Sequence, residues 1–276
     1  MQPSRLALTS AHLMLIGTTV FVLFPYAWMF MTSIKPVADV ITFPVRWLPQ
    51  SPTLDNYGAI LADPRFVRSL LNSTIVAVVV TALSLALAVP AAYGLTRLVR
   101  GGGRPMLVGV LASQFFPPMV FFVPFYIILQ RVGLLNTLSG LVFAYLSVTL
   151  PICTWMVATS LRAIPVEIDE AARVDGCTEL QVLQKVVLPI AAPGVVTAAV
   201  FSFVLSWQEY IFALLYTTSD KAQTAPVLLF YLLGQHQIDY ARLMAAAVLL
   251  SIPIAVPFAL IQRVYRADLS EGGLKG

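Results

Sequence analysis

Residues 167–189 read EIDEAARVDGCTELQVLQKVVLP. The stretch is charged and helix-prone, yet it lies between two apolar runs. Pro165 suits the start of a helix, where a missing N–H costs nothing and a fixed φ is already helical. Residues 166–175 then carry Val166, Ile168, Ala171, Ala172 and Val174 among acids. Glu167, Asp169 and Glu170 stand near the positive end of that helix's dipole. Gly176 can take a positive φ and end the helix. Thr178 with Gln181 three positions later reads as a capping box. A second helix is expected from there to Val187, with Leu180, Leu183 and Val187 roughly on one face. Pro189 is expected to end it. The product is a short helix–Gly–helix elbow. These residues leave two readings open, a solvated linker or a lever that another surface approaches at the small side chains.

Outward from the elbow the chain is oily. Of 276 residues, 59% are hydrophobic and only 11% are charged, with a mean hydropathy of +0.85. A soluble domain carries roughly 25% charged residues. So few charges cannot coat a water-facing surface, and the solvent is lipid. The net charge of +4 reads as loop bias. No Lys/Arg stripe with interleaved aromatics appears, which argues against nucleic acid as a partner. Cys153 and Cys177 read as free thiols, and His12 and His236 lie too far apart for a metal-binding pattern.

Crossing a bilayer takes about 20 apolar residues per helix, and in lipid the backbone must satisfy its own hydrogen bonds. Six runs qualify: about 11–32, 72–96, 106–129, 138–160, 193–216 and 243–262. The first is too long for the core of a signal peptide, typically about 7–15 residues, and reads as a retained span. The expected fold is therefore an all-α membrane protein of six transmembrane helices. Prolines 25, 90, 117, 118, 124, 151, 253 and 257 fall inside the runs and predict kinks rather than breaks.

Six spans put both termini on one side. If that side is the cytoplasm, Arg5, Arg97, Arg100, Arg104, Arg162, Arg173, Lys185, Arg263, Arg266 and Lys275 lie inside. Lys35, Arg46, Arg65, Arg68, Arg131, Lys221 and Arg242 then lie outside. The bias favours termini inside, helped by the cluster RLVRGGGR over residues 97–104. The organisation is then a first span with a Pro-rich outer loop (1–71), a core of five spans (72–262) that contains the elbow loop 161–192, and a cytoplasmic tail (263–276). Within the outer segment 217–242, APVLLFYLLG is too short to span and reads as a surface or re-entrant helix. Trp47 and Tyr57 suit an interfacial belt.

Chemistry is sparse. No GxxxxGK[ST] phosphate loop is present, so the chain is not expected to hydrolyse ATP. One acid falls clearly inside an apolar run, Glu209 of SWQEYIF, and an ionisable group in a span is a functional-site hypothesis. It sits roughly 24 Å along a helix from Pro193 at about 1.5 Å per residue. Two readings stand beside each other. In one, Trp207, Gln208, Glu209 and Tyr210 line a solute pathway, with aromatic faces stacking on a sugar. In the other, Glu209 pairs with a neighbouring helix and the aromatics pack.

EAARVDG followed nine residues later by VVLP resembles the EAA loop of binding-protein-dependent ABC transporter permeases. The matching positions are Glu170, Ala171, Ala172, Gly176, Leu188 and Pro189, with Val186 a mild aliphatic departure. LFPYAWMFMTSIKP, PTLDNYGAIL, SLRAIPVEIDEAARVDG, SFVLSWQEYIFALL and the tail DLSEGGLKG look like the carbohydrate branch, and within it the second, smaller permease subunit of maltose-type transporters. The resemblance implies a type I importer permease in the inner or plasma membrane. It implies a second permease subunit, two ATP-binding subunits and an extracytoplasmic solute-binding protein as partners. The EAA loop would dock in a cleft of the ATPase, with Glu170 against a basic group there. No cofactor is implied in this chain, since ATP and Mg belong to the ATPase subunits. The cargo stays open between a sugar and a polyol, sugar-acid derivative or glycerol-3-phosphate. A membrane-embedded lipid-modifying enzyme would need a cluster of His, Asp or Glu at a membrane face, and none stands out beyond the EAA loop.

Overall fold

The computed structural model describes residues 5–99, 103–234 and 238–272, and the side chains of 8–99, 103–234 and 238–258. The Gly-rich turn at 100–102 and the last residues of the tail lie outside this range. Among the described residues the chain is helical without strands. In order the helices are α1 (Arg5–Ser33), α2 (Val37–Val40), α3 (Asp55–Leu61), α4 (Pro64–Tyr93), α5 (Gly103–Ala112), α6 (Met119–Arg131) and α7 (Leu138–Arg162). They continue as α8 (Val166–Val174), α9 (Glu179–Gln181), α10 (Leu188–Gln208), α11 (Ile211–Tyr216), α12 (Ala225–Leu233) and α13 (Tyr240–Gly272). Two π turns extend this pattern, Gly94–Leu98 after α4 and Val182–Val187 between α9 and α10.

Five helical runs are long and apolar enough to cross a membrane: Leu8–Ser33, Pro64–Leu98, Leu138–Arg162, Glu179–Gln208 and Tyr240–Phe258. The expected third span corrects the reading of prolines as kinks. It breaks into α5 and α6, bent by 92°. A single proline removes one donor and kinks a helix. Here Pro117 and Pro118 remove two in succession, and Phe116, forced out of the helical region by the proline after it, is extended at ψ 129°. Elsewhere Pro25, Pro90, Pro124, Pro151, Pro253 and Pro257 stay inside continuous helices, as expected. The fifth expected span also divides, α10 ending at Gln208 and α11 starting at Ile211.

The chain forms two compact units, Met1–Val67 with Leu229–Ile252 and Arg68–Leu228 with Pro253–Gly276. In the first, α1 keeps its apolar surface bare, with Phe21 81% exposed and none of its best apolar window buried. A helix apolar all round belongs in lipid or against another apolar surface. At its end the loop that follows folds on itself. Asn56 donates to the carbonyls of Ser33 and Lys35, each at 2.8 Å. The Lys35 ammonium is buried, donates to Arg46 O at 2.6 Å and lies over the Trp28 ring. Trp47 meets Trp28 edge-on.

The second unit holds two apolar clusters. One joins the ends of α4 and α7 to the elbow and the start of α10, through small and branched residues such as Ala88, Ala92, Val157, Ala158, Val182 and Val187. The other lies about the opposite end of α7, where Leu141, Tyr145, Phe212 and Tyr216 meet Val76, Val80 and Leu129. The segment before α12 is tied to α4, since Asn72 donates to the carbonyls of Lys221 and Gln223 and Ser73 accepts from Ala225 N.

Candidate functional site

The elbow forms where the sequence places it. α8 spans Val166–Val174, and Gly176 takes φ +87°. Cys177 N–H reaches Ala172 O and Gly176 N–H reaches Arg173 O, both at 3.0 Å. This pair of bonds satisfies carbonyls that a helix end leaves open, and it needs a left-handed residue at the corner. The capping box follows: Thr178 N–H donates to Gln181 Oε1 at 2.9 Å, and Gln181 N–H to Thr178 Oγ1 at 3.4 Å.

Two expectations for the second arm are corrected. Pro189 does not end it. Proline at the first turn of α10 is tolerated, and the wider π turn at Val182–Val187 precedes it, so helix continues through to Gln208. The same turn shifts the register. Leu183 and Val187 are buried as expected, but Val182 joins them while Leu180 is 61% exposed.

Of the matched residues, Glu170, Ala171, Gly176 and Pro189 are exposed and Leu188 is half-buried. Ala172 instead packs inward, among Leu161, Ile164 and Val187. Val174 is also exposed, at 88%, as is Leu180.

A set of charged contacts that sequence reasoning missed holds the elbow from behind. Arg97, in the π turn after α4, places Nε 3.0 Å from Asp169 Oδ2, with both side chains almost wholly buried. The N–H is not aimed at the carboxylate, so the contact is ionic rather than a hydrogen bond. Neither Asp169 oxygen finds a donor among the described residues. The same guanidinium donates through a terminal nitrogen to Leu161 O at 3.0 Å and Ile164 O at 2.8 Å. On the second arm, Tyr93 of α4 donates to Glu179 Oε2 at 3.0 Å. Arg173 crosses the corner to Glu179 Oε1 at 2.7 Å, and that bond raises the Arg173 guanidinium above its usual pKa. Being part-exposed, the Arg173–Glu179 pair adds at most about 1 kcal/mol. Asp169 and Arg97 read locally as a dipole partner and a loop charge, and no local pattern joins residues so far apart in sequence.

At the other end of α10 the structure separates the residues SWQEY. Trp207 is buried and stacks on Phe203, with ring centroids 5.9 Å apart. Gln208 is exposed and Tyr210 half-buried. Glu209 leaves the helix, with ψ 125°, and accepts from Phe212 N–H at 2.9 Å and Ala213 N–H at 3.2 Å. Its carboxylate caps α11. It also borders a cavity of about 200 Å³ with Tyr145, Thr149, Ser206, Phe122 and Phe212. A neighbouring cavity of about 120 Å³ is lined by Ser113, Gln114, Phe121, Phe125 and Ser147. The sequence signal for this second cavity was available: a Ser-Gln pair and a Pro-Pro pair interrupt one apolar run.

Residues 84–271 match the family described as binding-protein-dependent transport system inner membrane component. The chain is 35% identical over 254 residues to the sulfoquinovosyl glycerol transport system permease protein of Agrobacterium fabrum, covering 92% of this chain and 89% of that protein. It is 33% identical over 258 residues to the trehalose transport system permease protein of Mycobacterium tuberculosis, covering 93% of each. In a solved bacterial ABC transporter involved in the import of the acidic polysaccharide alginate, one chain shares the fold with a TM-score of 0.76. That match covers 95% of this chain and 99% of that one at 24% identity.

Proposed function

The chain belongs to the family of binding-protein-dependent transport system inner membrane components, and we propose that it forms half of the translocation pathway of an ATP-driven importer for a sugar or sugar-like solute. A second permease subunit supplies the other half. Two ATP-binding subunits carry ATP and Mg, and an extracytoplasmic binding protein delivers the solute. Both termini and the elbow face the cytoplasm.

The observation that carries the coupling role is the elbow itself. Its corner is bonded internally and its back is tied to the bundle, while Glu170, Ala171, Val174 and Leu180 are left facing outward. A linker needs no such bracing. An outward apolar and acidic face on a rigid support suits a cleft in the ATPase, with Glu170 making a charge-assisted bond to a basic group. ATP-driven movement of that cleft then turns the elbow, and α10 carries the movement toward Glu209. The cargo class rests on the relatives. Their named solutes, sulfoquinovosyl glycerol and trehalose, are both glycosides, one of them anionic, so a sugar-acid derivative belongs in the test panel.

The test is reconstitution in vesicles with the cognate partner permease, ATPase subunits and binding protein. ATP hydrolysis stimulated by loaded binding protein is expected only in the complete complex. The binding protein is expected to bind a glycoside among neutral sugars, sugar acids, polyols and glycerol-3-phosphate. Hydrolysis by this chain alone, or a binding protein that takes none of these, would overturn the reading.

A further inference from the structure

We propose that Arg97 and Asp169 are positioning residues that fasten the elbow to the end of α4, so that force from the ATPase enters α4 directly as well as α7 and α10. The proposal rests on the coupling reading of the elbow.

Chain connectivity attaches the elbow to only two helices. Pro165 joins it to α7, and the π turn Val182–Val187 joins it to α10. α4 is remote in sequence, yet it reaches both arms, through Arg97 to Asp169 and through Tyr93 to Glu179. Arg97 also bonds the carbonyls of Leu161 and Ile164, where α7 ends. One guanidinium therefore ties α4, the end of α7 and the first arm together. The planar fork of arginine suits such divided bonding. Its backbone lies in a π turn, a form that is uncommon and recurs at functional sites.

Packing alone does not call for these charges. The surrounding cluster is filled by Ala, Val and Leu, and a buried pair is often no more stabilising than apolar residues of the same volume. What a buried pair adds is a penalty for separation. If α8 slid away from α4, Asp169 would lose its one close ion pair and stay buried with no hydrogen-bond donor among the described residues, only the more distant charge of Arg173 on its own helix acting on it. The elbow and α4 must then move as one. The pair is also asymmetric: losing Asp169 leaves Arg97 two carbonyls, whereas losing Arg97 leaves Asp169 no hydrogen-bond donor among the described residues and only the charge of Arg173 on its own helix.

The experiment uses the complete reconstituted complex and reads solute taken up per ATP hydrolysed, with assembly checked by size-exclusion chromatography. Arg97→Met is expected to impair assembly more than Asp169→Asn. The double variant Arg97→Met/Asp169→Leu removes both charges and is expected to restore assembly, yet to take up about tenfold less solute per ATP. Asp169→Asn is expected to lose about threefold, and Arg97→Lys to fall between the parent and Asp169→Asn. A purely structural pair predicts parental uptake per ATP once the double variant assembles, and that result overturns the proposal. If the double variant does not assemble, a parental ratio for Asp169→Asn overturns it instead. Gly176→Val separates the two layers of argument. A parental ratio in both Gly176→Val and the double variant rejects elbow coupling altogether, whereas a drop in Gly176→Val alone rejects only the role of Arg97 and Asp169.

Discussion

The helical run from Glu179 to Gln208 is interrupted at both of its ends, and the two corners are built differently. At the elbow the corner is a glycine at φ +87°, and the freed backbone groups bond to neighbours a few residues away. At the other end the corner is Glu209, whose single carboxylate accepts two backbone N–H groups. Both of those groups belong to buried residues, Phe212 and Ala213. The difference follows from the surroundings. A turn beside water can use weak acceptors, because water serves any group left over. A turn inside an apolar layer must satisfy every donor from within the protein, and one carboxyl group offers two acceptor oxygens for that purpose.

If α10 is a rod between these turns, its seat on α7 matters most. A Cβ at Gly194 would overlap the hydroxyl and Cβ of Ser160. Gly194→Ala is therefore expected to cost about 3 kcal/mol by overpacking, read as a lower midpoint of thermal unfolding in detergent. Ser160→Gly in the same chain should recover most of that loss. A neutral Gly194→Ala would mean that the two helices slide freely, and that the two turns are not joined through a fixed rod.

The corner glycine comes next. A Cβ at Gly176 meets nothing within 4 Å, so the cost of substitution is conformational rather than steric. A β-branched residue in the left-handed region costs about 2 kcal/mol. Gly176→Val should lower uptake per ATP along with stability, while Gly176→Asn, which tolerates this region, should do much less. Equal effects from Val and Asn would show that the corner depends on something other than φ.

How much of each turn was legible follows the same division. Gly176, Thr178 and Gln181 act through neighbours within a few positions, so their pattern in the sequence already describes the elbow. The break at Glu209 carries no glycine or proline, and hydropathy runs on through IFALLY. Only the polar Gln-Glu pair marks it, and a pair of that kind equally suits a pathway lining. Leu180 departs from the face of Leu183 and Val187 because a π turn alters the helical period that the pattern assumes. The break at Phe116 needs two adjacent prolines together, whereas either proline alone predicts only a kink. Arg97 and Asp169 were invisible as partners, since a contact between remote residues leaves no local trace.

Glu209 itself offers the test of its two readings. Glu209→Ala leaves two buried N–H groups unpaired and is expected to cost about 1.5 kcal/mol, in the upper range for loss of a helix cap. Glu209→Gln keeps one good acceptor and should lose about half of that. Uptake per assembled complex then decides the role. A fall in both variants favours a pathway lining through the cavity shared with Tyr145 and Ser206. Parental uptake with reduced stability makes Glu209 a cap and nothing more.

The smallest effect is expected from the elbow's own cap. Thr178 Oγ1 accepts from Gln181 N–H at 3.4 Å, longer than the reciprocal bond of 2.9 Å from Thr178 N–H to Gln181 Oε1. Thr178 is also exposed, so water replaces what the hydroxyl gives up. Thr178→Ala should therefore sit at the low end for caps, about 0.5 kcal/mol, with Thr178→Ser close to the parent. Gln181→Ala removes the shorter bond and should cost at least as much. These small values are what a water-facing turn predicts when set against Glu209. A loss from Thr178→Ala as large as that from Glu209→Ala would end the contrast between the two corners, because it would mean that water does not reach the elbow's cap.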